Sequence, residues 1–272
     1  MEKFQTSIVI SIYNNYKFIE LVLAGFERQS NENFEILLAD DGSKKEVVEK
    51  IEDYIKHSSL KIKHVWHEDQ GWRKNEILNK AIQKTETDYI IFIDGDCIPH
   101  KNFVKEHLLN REQNTILAGR RSNLSKYISD KLTYKNVKKG ILEKRYAFIG
   151  LLLKSIIGGT HLENAIYIKN NLIRKKINTK DKGVLGSNFS VYKSDLLEIN
   201  GFDERYKKPA VGEDTDLEFR LRNAGKKVKP VKHLAIQYHL FHSKLERDKA
   251  NMEYLNDVVD KKTTYTPYGI NK

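Results

Sequence analysis

Up to about residue 100 the chain alternates between two hydrophobic periods, and this alternation limits the possible folds sharply. Ser7–Tyr13 is an apolar, β-branched run, and Asn14-Asn15 breaks it. Phe18, Leu21, Val22 and Phe26 then recur at helical spacing. Phe34–Ala39 reads as a second strand and Leu60–Trp66 as a third. Helical stripes follow each, at Val47, Val48, Ile51 and Ile55, and at Ile77, Leu78, Ala81 and Ile82. A fourth strand runs from Tyr89 to Asp94. Strand–helix alternation of this kind predicts an α/β fold: a mostly parallel sheet with right-handed crossovers and helices on both faces.

Two of these strands end in acids. Phe34–Ala39 runs into Asp40-Asp41-Gly42-Ser43, and Tyr89–Ile93 into Asp94-Gly95-Asp96. In open α/β sheets, ligands bind beyond the carboxyl ends of the strands. Carboxylate oxygens suit hard divalent ions, whose shells are often completed by substrate phosphates. The pattern therefore points to a metal–diphosphate site, although Asp-Gly is also ordinary turn chemistry. No G-x-G-x-x-G follows the first strand, and no G-x-x-x-x-G-K-[ST] occurs, which argues against a dinucleotide enzyme and a P-loop NTPase.

The 272 residues suffice for one large or two small domains. A single cysteine, Cys97, excludes an internal disulfide framework and fits a reducing compartment. It reads as a small packed residue after a strand rather than a nucleophile. No run approaches the roughly 18 apolar residues of a membrane span. The N-terminus lacks a signal-peptide pattern, so a cytoplasmic location is expected. The net charge of +11 is concentrated in Arg121–Leu185, which holds fifteen Lys and Arg against four Asp and Glu. Such a stretch suits an anionic partner, such as a membrane surface, a lipid-linked diphosphate, an acidic glycan or nucleic acid, or else is a solvated basic face. Within it, Phe148–Ile157 is apolar but short, and reads as a core or partly exposed acceptor-site helix, with an interfacial helix as the alternative.

From Gly186 the pattern recovers. Ser187–Tyr192 reads as a strand and Lys193–Ile199 as a short helix. Gly212-Glu213-Asp214-Thr215-Asp216 opens a helix that Gly225 closes, and Lys229–Tyr238 reads as one strand, running into His239-Leu240-Phe241-His242. The tail from Ser243 is polar and expected to be partly helical and loose at its end.

Taken in order, Asp40-Asp41-Gly42-Ser43, Asp94-Gly95-Asp96, Gly212-Glu213-Asp214 and His239-Leu240-Phe241-His242 resemble a family 2 glycosyltransferase of the GT-A fold. The later part is similar to the C-terminal domain shared by β-1,4-galactosyltransferases and chondroitin-polymerase-like enzymes. The resemblance covers about residues 6–110 and 183–243. It implies one continuous GT-A domain, with a nucleotide-sugar-binding half over 1–110, a basic variable segment over 111–182, a catalytic and acceptor half over 183–245, and a polar tail over 246–272.

The resemblance also implies a nucleotide-sugar donor, most often a UDP-sugar, a divalent ion, and inverting displacement at the anomeric carbon. Asp41, with Asp40 as second candidate, would meet the uracil or ribose, and Tyr13 would line the base. Asp69 and Arg73 lie where such enzymes touch the nucleotide. Asp94 would hold the ribose or a metal-bound water. Asp96 and His242 would ligate the ion, with His239 the weaker candidate, and imidazole favours Mn²⁺ over Mg²⁺. Asp214 would be the general base and Glu213 would orient the acceptor, while Gly186, Ser187 and Asn188 would face the donor sugar. A helix start stabilises charged carboxylates, so acids there are also explained by capping, and a depressed pKa would suit a base poorly. Where the family often has a tryptophan before Gly-Glu-Asp, this chain has Pro209-Ala210-Val211, which argues for a different acceptor.

The implied function is metal-dependent transfer of a sugar to a glycan or lipid-linked acceptor in bacterial surface polysaccharide or lipopolysaccharide synthesis, at the inner leaflet if the basic segment binds it. Two other readings compete. A sugar-phosphate nucleotidyltransferase would open with a glycine- and arginine-rich loop, which Ser11–Asn15 is not. A non-enzymatic nucleic-acid or membrane binder would use basic residues interleaved with Tyr127, Tyr134, Tyr146 and Tyr167, but leaves the acidic motifs unexplained. Nucleic acid is not the expected partner.

Overall fold

The computed structural model describes residues 4–144, 161–178, 180–209, 212–243 and 251–271. Ten strands are present among them: β1 (Thr6–Ile12), β2 (Phe34–Asp40), β3 (Ile62–Trp66), β4 (Tyr89–Asp94), β5 (Cys97–Pro99), β6 (Thr115–Ala118), β7 (Arg120–Asn123), β8 (Asn188–Tyr192), β9 (Lys227–Pro230) and β10 (Ile236–His239). The α-helices are α1 (Tyr16–Phe26), α2 (Lys45–His57), α3 (Lys74–Lys84), α4 (Phe103–Asn110), α5 (Lys126–Lys131), α6 (Tyr134–Lys138), α7 (Asn171–Ile177), α8 (Lys193–Glu198), α9 (Glu213–Asn223) and α10 (Met252–Asp260).

Seven strands form one sheet in the order β3-β2-β1-β4-β8-β6-β9, in which only β8 runs against its neighbours. The mostly parallel α/β sheet expected from the sequence is present. Its inner strands are apolar on both faces because both are covered. Ile8, Ile10, Ile36, Leu38, Ile91 and Ile93 face one core with α1. Val9, Leu37, Ala39, Ile90 and Phe92 face the other with α3 and α9. Each Val, Leu, Ile or Phe among them contributes about 1.5–3 kcal/mol of burial free energy. Phe92 stacks on Phe189 across β4 and β8, ring centroids 4.5 Å apart. This packing fixes the height at which each strand ends. Register then pairs Ile12 with Asp40 and Ser11 with Asp94, so both acidic motifs emerge at one sheet edge.

The stretch Lys229–Tyr238, read as one strand, is two. β9 joins β6 in the large sheet, whereas β10 lies between β5 and β7 in a separate three-stranded sheet. Pro230 stands at the end of β9 with its nitrogen turned away from β6, and Val231 N still donates to Ala118 O at 2.9 Å. The chain then turns through His233 at φ 63°, with Val231 and Leu234 buried beneath. The small sheet carries the histidine motif to the carboxyl edge of β4: Cys97 pairs with His239, and Leu240 N donates to Asp96 O at 2.8 Å.

The end of the tail, expected to be loose, is fastened. Asn271 N donates to Asn200 Oδ1 at 2.8 Å, Thr266 Oγ1 to Asp203 Oδ2 at 2.8 Å, and the Arg205 guanidinium lies over the rings of both Tyr254 and Tyr268. The apolar run Phe148–Ile157 lies outside the described residues.

Candidate active site

Three groups of polar side chains line the carboxyl edge of the large sheet. The first follows β2. Gly42 takes φ +93°, and a Cβ there would stand 2.5 Å from the Asp69 Cα, so the turn and the Asp69 loop meet at backbone contact. Asp41 accepts from His67 Nε2 at 2.7 Å and from Arg73 N at 2.9 Å. Lys80 donates to the other imidazole nitrogen, His67 Nδ1, at 3.2 Å, which leaves Nε2–H to face Asp41. Burial raises the Asp41 pKa, and His67 and the Arg73 N–H offset part of that. Asp69 accepts from Gly71 N at 3.0 Å and from Tyr13 Oη at 2.9 Å, and the Gly71 N–H, then Tyr13, lower its pKa. The rings of Tyr13 and Trp66 are half exposed, and Trp66 Nε1 donates to Ser43 O at 3.1 Å. Arg73 is held by Glu76 and by the Glu68 carbonyl.

The second group joins β4, α3 and α9. Ser11 Oγ donates to Asp94 Oδ1 at 2.7 Å. Lys74 Nζ lies 3.2 Å from Asp94 Oδ1 and 3.4 Å from Glu213 Oε1. Burial opposes the Lys74 charge, but Asp94, Glu213 and Asp214 outweigh it and hold the ammonium pKa well above its ordinary value. Asp214 Oδ2 accepts from Gly186 N at 2.9 Å, and a Cβ on Gly186 would overlap the carboxylate at 2.1 Å. The acids at this helix start do not have the depressed pKa that the macrodipole alone would give. Burial pushes Glu213 up to about 7 and raises Asp214 as well, with Lys74 as the main opposing influence. Asp216, on the inner face of α9, instead forms a buried ion pair with Arg220 at 2.6 Å.

The third group is Asp96, His239 and His242, whose ligand atoms all lie within 4.8 Å of one another. His242 Nε2 is 3.1 Å and His239 Nε2 3.4 Å from Asp96 Oδ2. Burial works against the Asp96 charge, yet the two histidines hold its pKa far below the usual carboxylate range. Asp96 in turn raises His242. His242 Nδ1 is 2.7 Å from Ser243 O. Donating there would leave Nε2 free to ligate, the usual arrangement of a metal-binding imidazole. One carboxylate oxygen and two imidazole nitrogens converging on one point suit a borderline divalent ion. The buried Cys97 thiol donates to Asp96 Oδ1 at 3.1 Å, and burial raises its pKa well above the ordinary value.

Three residues expected at the ligand are buried in bonds of their own. Ser187 Oγ accepts from Gln237 Nε2 at 2.9 Å. Asp40 is fully buried, with Oδ1 accepting from Ser43 N at 2.8 Å and Oδ2 2.9 Å from His64 Nε2. Asn188 is also fully buried: its Nδ2 donates to Arg120 O and Ala235 O, and its Oδ1 meets His107 Nε2. Asp40 holds the turn and Asn188 joins the two sheets. Lys74, His67 and Trp66 have the opposite history. They belong to the site and carry no motif that marks them in the sequence.

Comparison with known proteins agrees with this architecture. Residues 7–174 match the family model for glycosyl transferase family 2, and residues 169–243 match one described as the N-terminal domain of galactosyltransferase. The chain belongs to glycosyltransferase family 2. It is 28% identical over 244 residues to the chondroitin synthase of Escherichia coli, an alignment covering 86% of this chain and 34% of that protein. The chain thus spans about a third of that relative's length. A 118-residue match to the Pasteurella multocida chondroitin synthase is 29% identical and covers 42% of this chain and 12% of that one. Among solved structures, S. aureus TarS in complex with UDP-GlcNAc superposes with a TM-score of 0.62 at 14% identity, over 95% of this chain and 66% of that one. A Pyrobaculum calidifontis mannosyltransferase in complex with GDP-Man and Mn²⁺ gives 0.57 at 13% identity, over 89% and 59%. The fold is GT-A. Among the described residues no helix is long and apolar enough to cross a membrane.

Proposed function

We propose that this chain is an inverting, divalent-metal-dependent transferase that moves a sugar from a UDP-sugar to a hydroxyl of a glycan or lipid-linked saccharide, in the synthesis of a bacterial surface polysaccharide or lipopolysaccharide. One observation carries the reading. A carboxylate–imidazole cluster, Asp96 with His239 and His242, and a pair of raised carboxyls, Glu213 and Asp214, linked to Asp94 through Lys74, gather at the carboxyl end of β4. The first suits an ion on a leaving diphosphate. The second suits proton removal near neutral pH.

In this reading Asp41, Tyr13 and Asp69 receive the nucleoside, with Arg73 bracing the loop, and Asp94 holds the ribose or a metal-bound water. Gly186 lets the Asp214 carboxylate close on the backbone beside the donor sugar. Asp96 and His242, with His239, would hold the ion, and their nitrogen-rich set favours Mn²⁺ over Mg²⁺. When bound, the ion supplies Lewis-acid stabilisation of the departing diphosphate. Asp214 takes the proton of the acceptor hydroxyl as its oxygen bonds to the anomeric carbon. The carbon–oxygen bond to the diphosphate breaks with its electron pair going to the diphosphate, and configuration inverts. Glu213 orients the acceptor. The basic segment over 111–182, apart from the strands β6 and β7 that it contributes to the sheets, serves the acceptor, and its basic surplus attracts the anionic leaflet that carries lipid-linked acceptors. The chondroitin synthase relatives and the UDP-GlcNAc complex of TarS support a polysaccharide product and a uridine donor. The mannosyltransferase complex with GDP-Man and Mn²⁺ supports the metal and makes GDP-sugars the second donor class to try.

The test is turnover of a panel of UDP-sugars, with GDP-mannose included, followed by NMR of the released sugar. Inversion predicts that an α-linked donor yields the β anomer first. Asp214→Asn should lower the rate by about 10²–10⁴-fold. An α first product would contradict single displacement, and full activity in Asp214→Asn would remove it as the base.

A further inference from the structure

The site holds a cation that the reading above leaves without a task. Arg121 lies in β7, where it pairs with Gln237 of β10. His239 is two residues further along β10, so the period of two places Arg121 on the same face of the small sheet as His239, adjacent to it. Cys97, next to Asp96, is opposite His239 on the far side of β10. The neighbouring arginines are engaged: Arg120 donates to the carbonyls of Gly119 and Gly183, and Arg73 pairs with Glu76. The Arg121 guanidinium, half-buried, makes no ion pair or hydrogen bond among the described residues. Its charge is felt at Asp214, where it opposes part of the rise that burial causes.

A guanidinium beside the metal cluster and left unpaired is free to meet an anion. Negative charge develops on the diphosphate oxygen as its bond to the sugar breaks. An ion ligated by Asp96 has part of its charge neutralised already, so a second cation completes the stabilisation. Arginine presents a planar fork of donors matched to phosphate oxygens.

We propose that Arg121 binds the donor's terminal phosphate, the one bonded to the sugar, as the second cation of the diphosphate site. This rests on the nucleotide-sugar reading above. The test is calorimetric titration of UDP, GDP and UMP into wild type, Arg121→Ala and Arg121→Lys, all with Mn²⁺ present. Loss of a charged hydrogen-bond pair predicts a roughly ten- to hundredfold weaker UDP affinity in Arg121→Ala. UMP, which lacks the second phosphate, should bind all three proteins alike, and Arg121→Lys should recover part of the loss. UDP affinity unchanged in Arg121→Ala would overturn the assignment, and a rise in acceptor KM alone would move the arginine to the acceptor. Equal losses for UDP and UMP would also overturn it, since the effect would then not be on the terminal phosphate. If wild type binds neither nucleoside diphosphate, the nucleotide-sugar reading fails with it, an outcome distinct from the variant results.

Discussion

Lys74 bears on the charge state of two carboxyls at once. It sits within 3.4 Å of Glu213 and is the leading influence opposing burial at both Glu213 and Asp214. Removing it takes away the main opposition to burial, so both pKa values rise. A base that must be ionised then needs a higher pH. Lys74→Met is therefore expected to move the acid limb of the kcat/KM profile upward in pH, measured on whichever donor the panel selects, and an unmoved limb would separate Lys74 from the base. Asp214 and Glu213 were legible in the sequence because an acid pair at a glycine-led helix start follows the motif order. Lys74 was not, because its partner lies 139 residues away and only folding brings them together. The same holds for His67, which orients Asp41 across 26 residues.

The elements came through where their pattern was redundant and were misread where one side chain decides. The first four strands and three helices follow from periodicity, because burial on both sheet faces demands continuous apolar strands. The break between β9 and β10 comes at a single left-handed residue, His233, and apolar residues continue across it. Asn188 likewise follows the glycine that would face the donor, yet the pleat turns its side chain into the interface between the sheets. Asn188→Ala should therefore act on stability and not on the ligand. It removes bonds to Arg120 O, Ala235 O and His107 Nε2 and should cost about 2–3 kcal/mol, read as a lower denaturation midpoint. UDP affinity of the folded variant should match wild type. A large loss of affinity with unchanged stability would restore Asn188 to the donor site.

At the scale of the molecule, the charge asymmetry visible in the sequence is partly neutralised by the fold. Lys138 pairs with Glu27 at 2.7 Å and Arg174 with Glu106 at 2.9 Å. Tyr134 and Tyr167 hydrogen-bond to those same glutamates, and their ring faces are taken, by Lys138 over Tyr134 and by His100 and Arg174 over Tyr167. This favours a membrane-facing use of the remaining lysines over base stacking. Cosedimentation with vesicles containing phosphatidylglycerol should appear at low salt and fall away at high salt. Absence of binding at low salt would assign the segment to the acceptor alone.

The central claim is that Asp96 and the two histidines hold an ion on a nucleoside diphosphate. Titration of UDP into wild type and Asp96→Ala, with and without Mn²⁺, tests it most directly. The account predicts binding that strengthens with Mn²⁺ in wild type and loses that dependence in Asp96→Ala. UDP binding that is indifferent to Mn²⁺, or equally metal-dependent without Asp96, would contradict it.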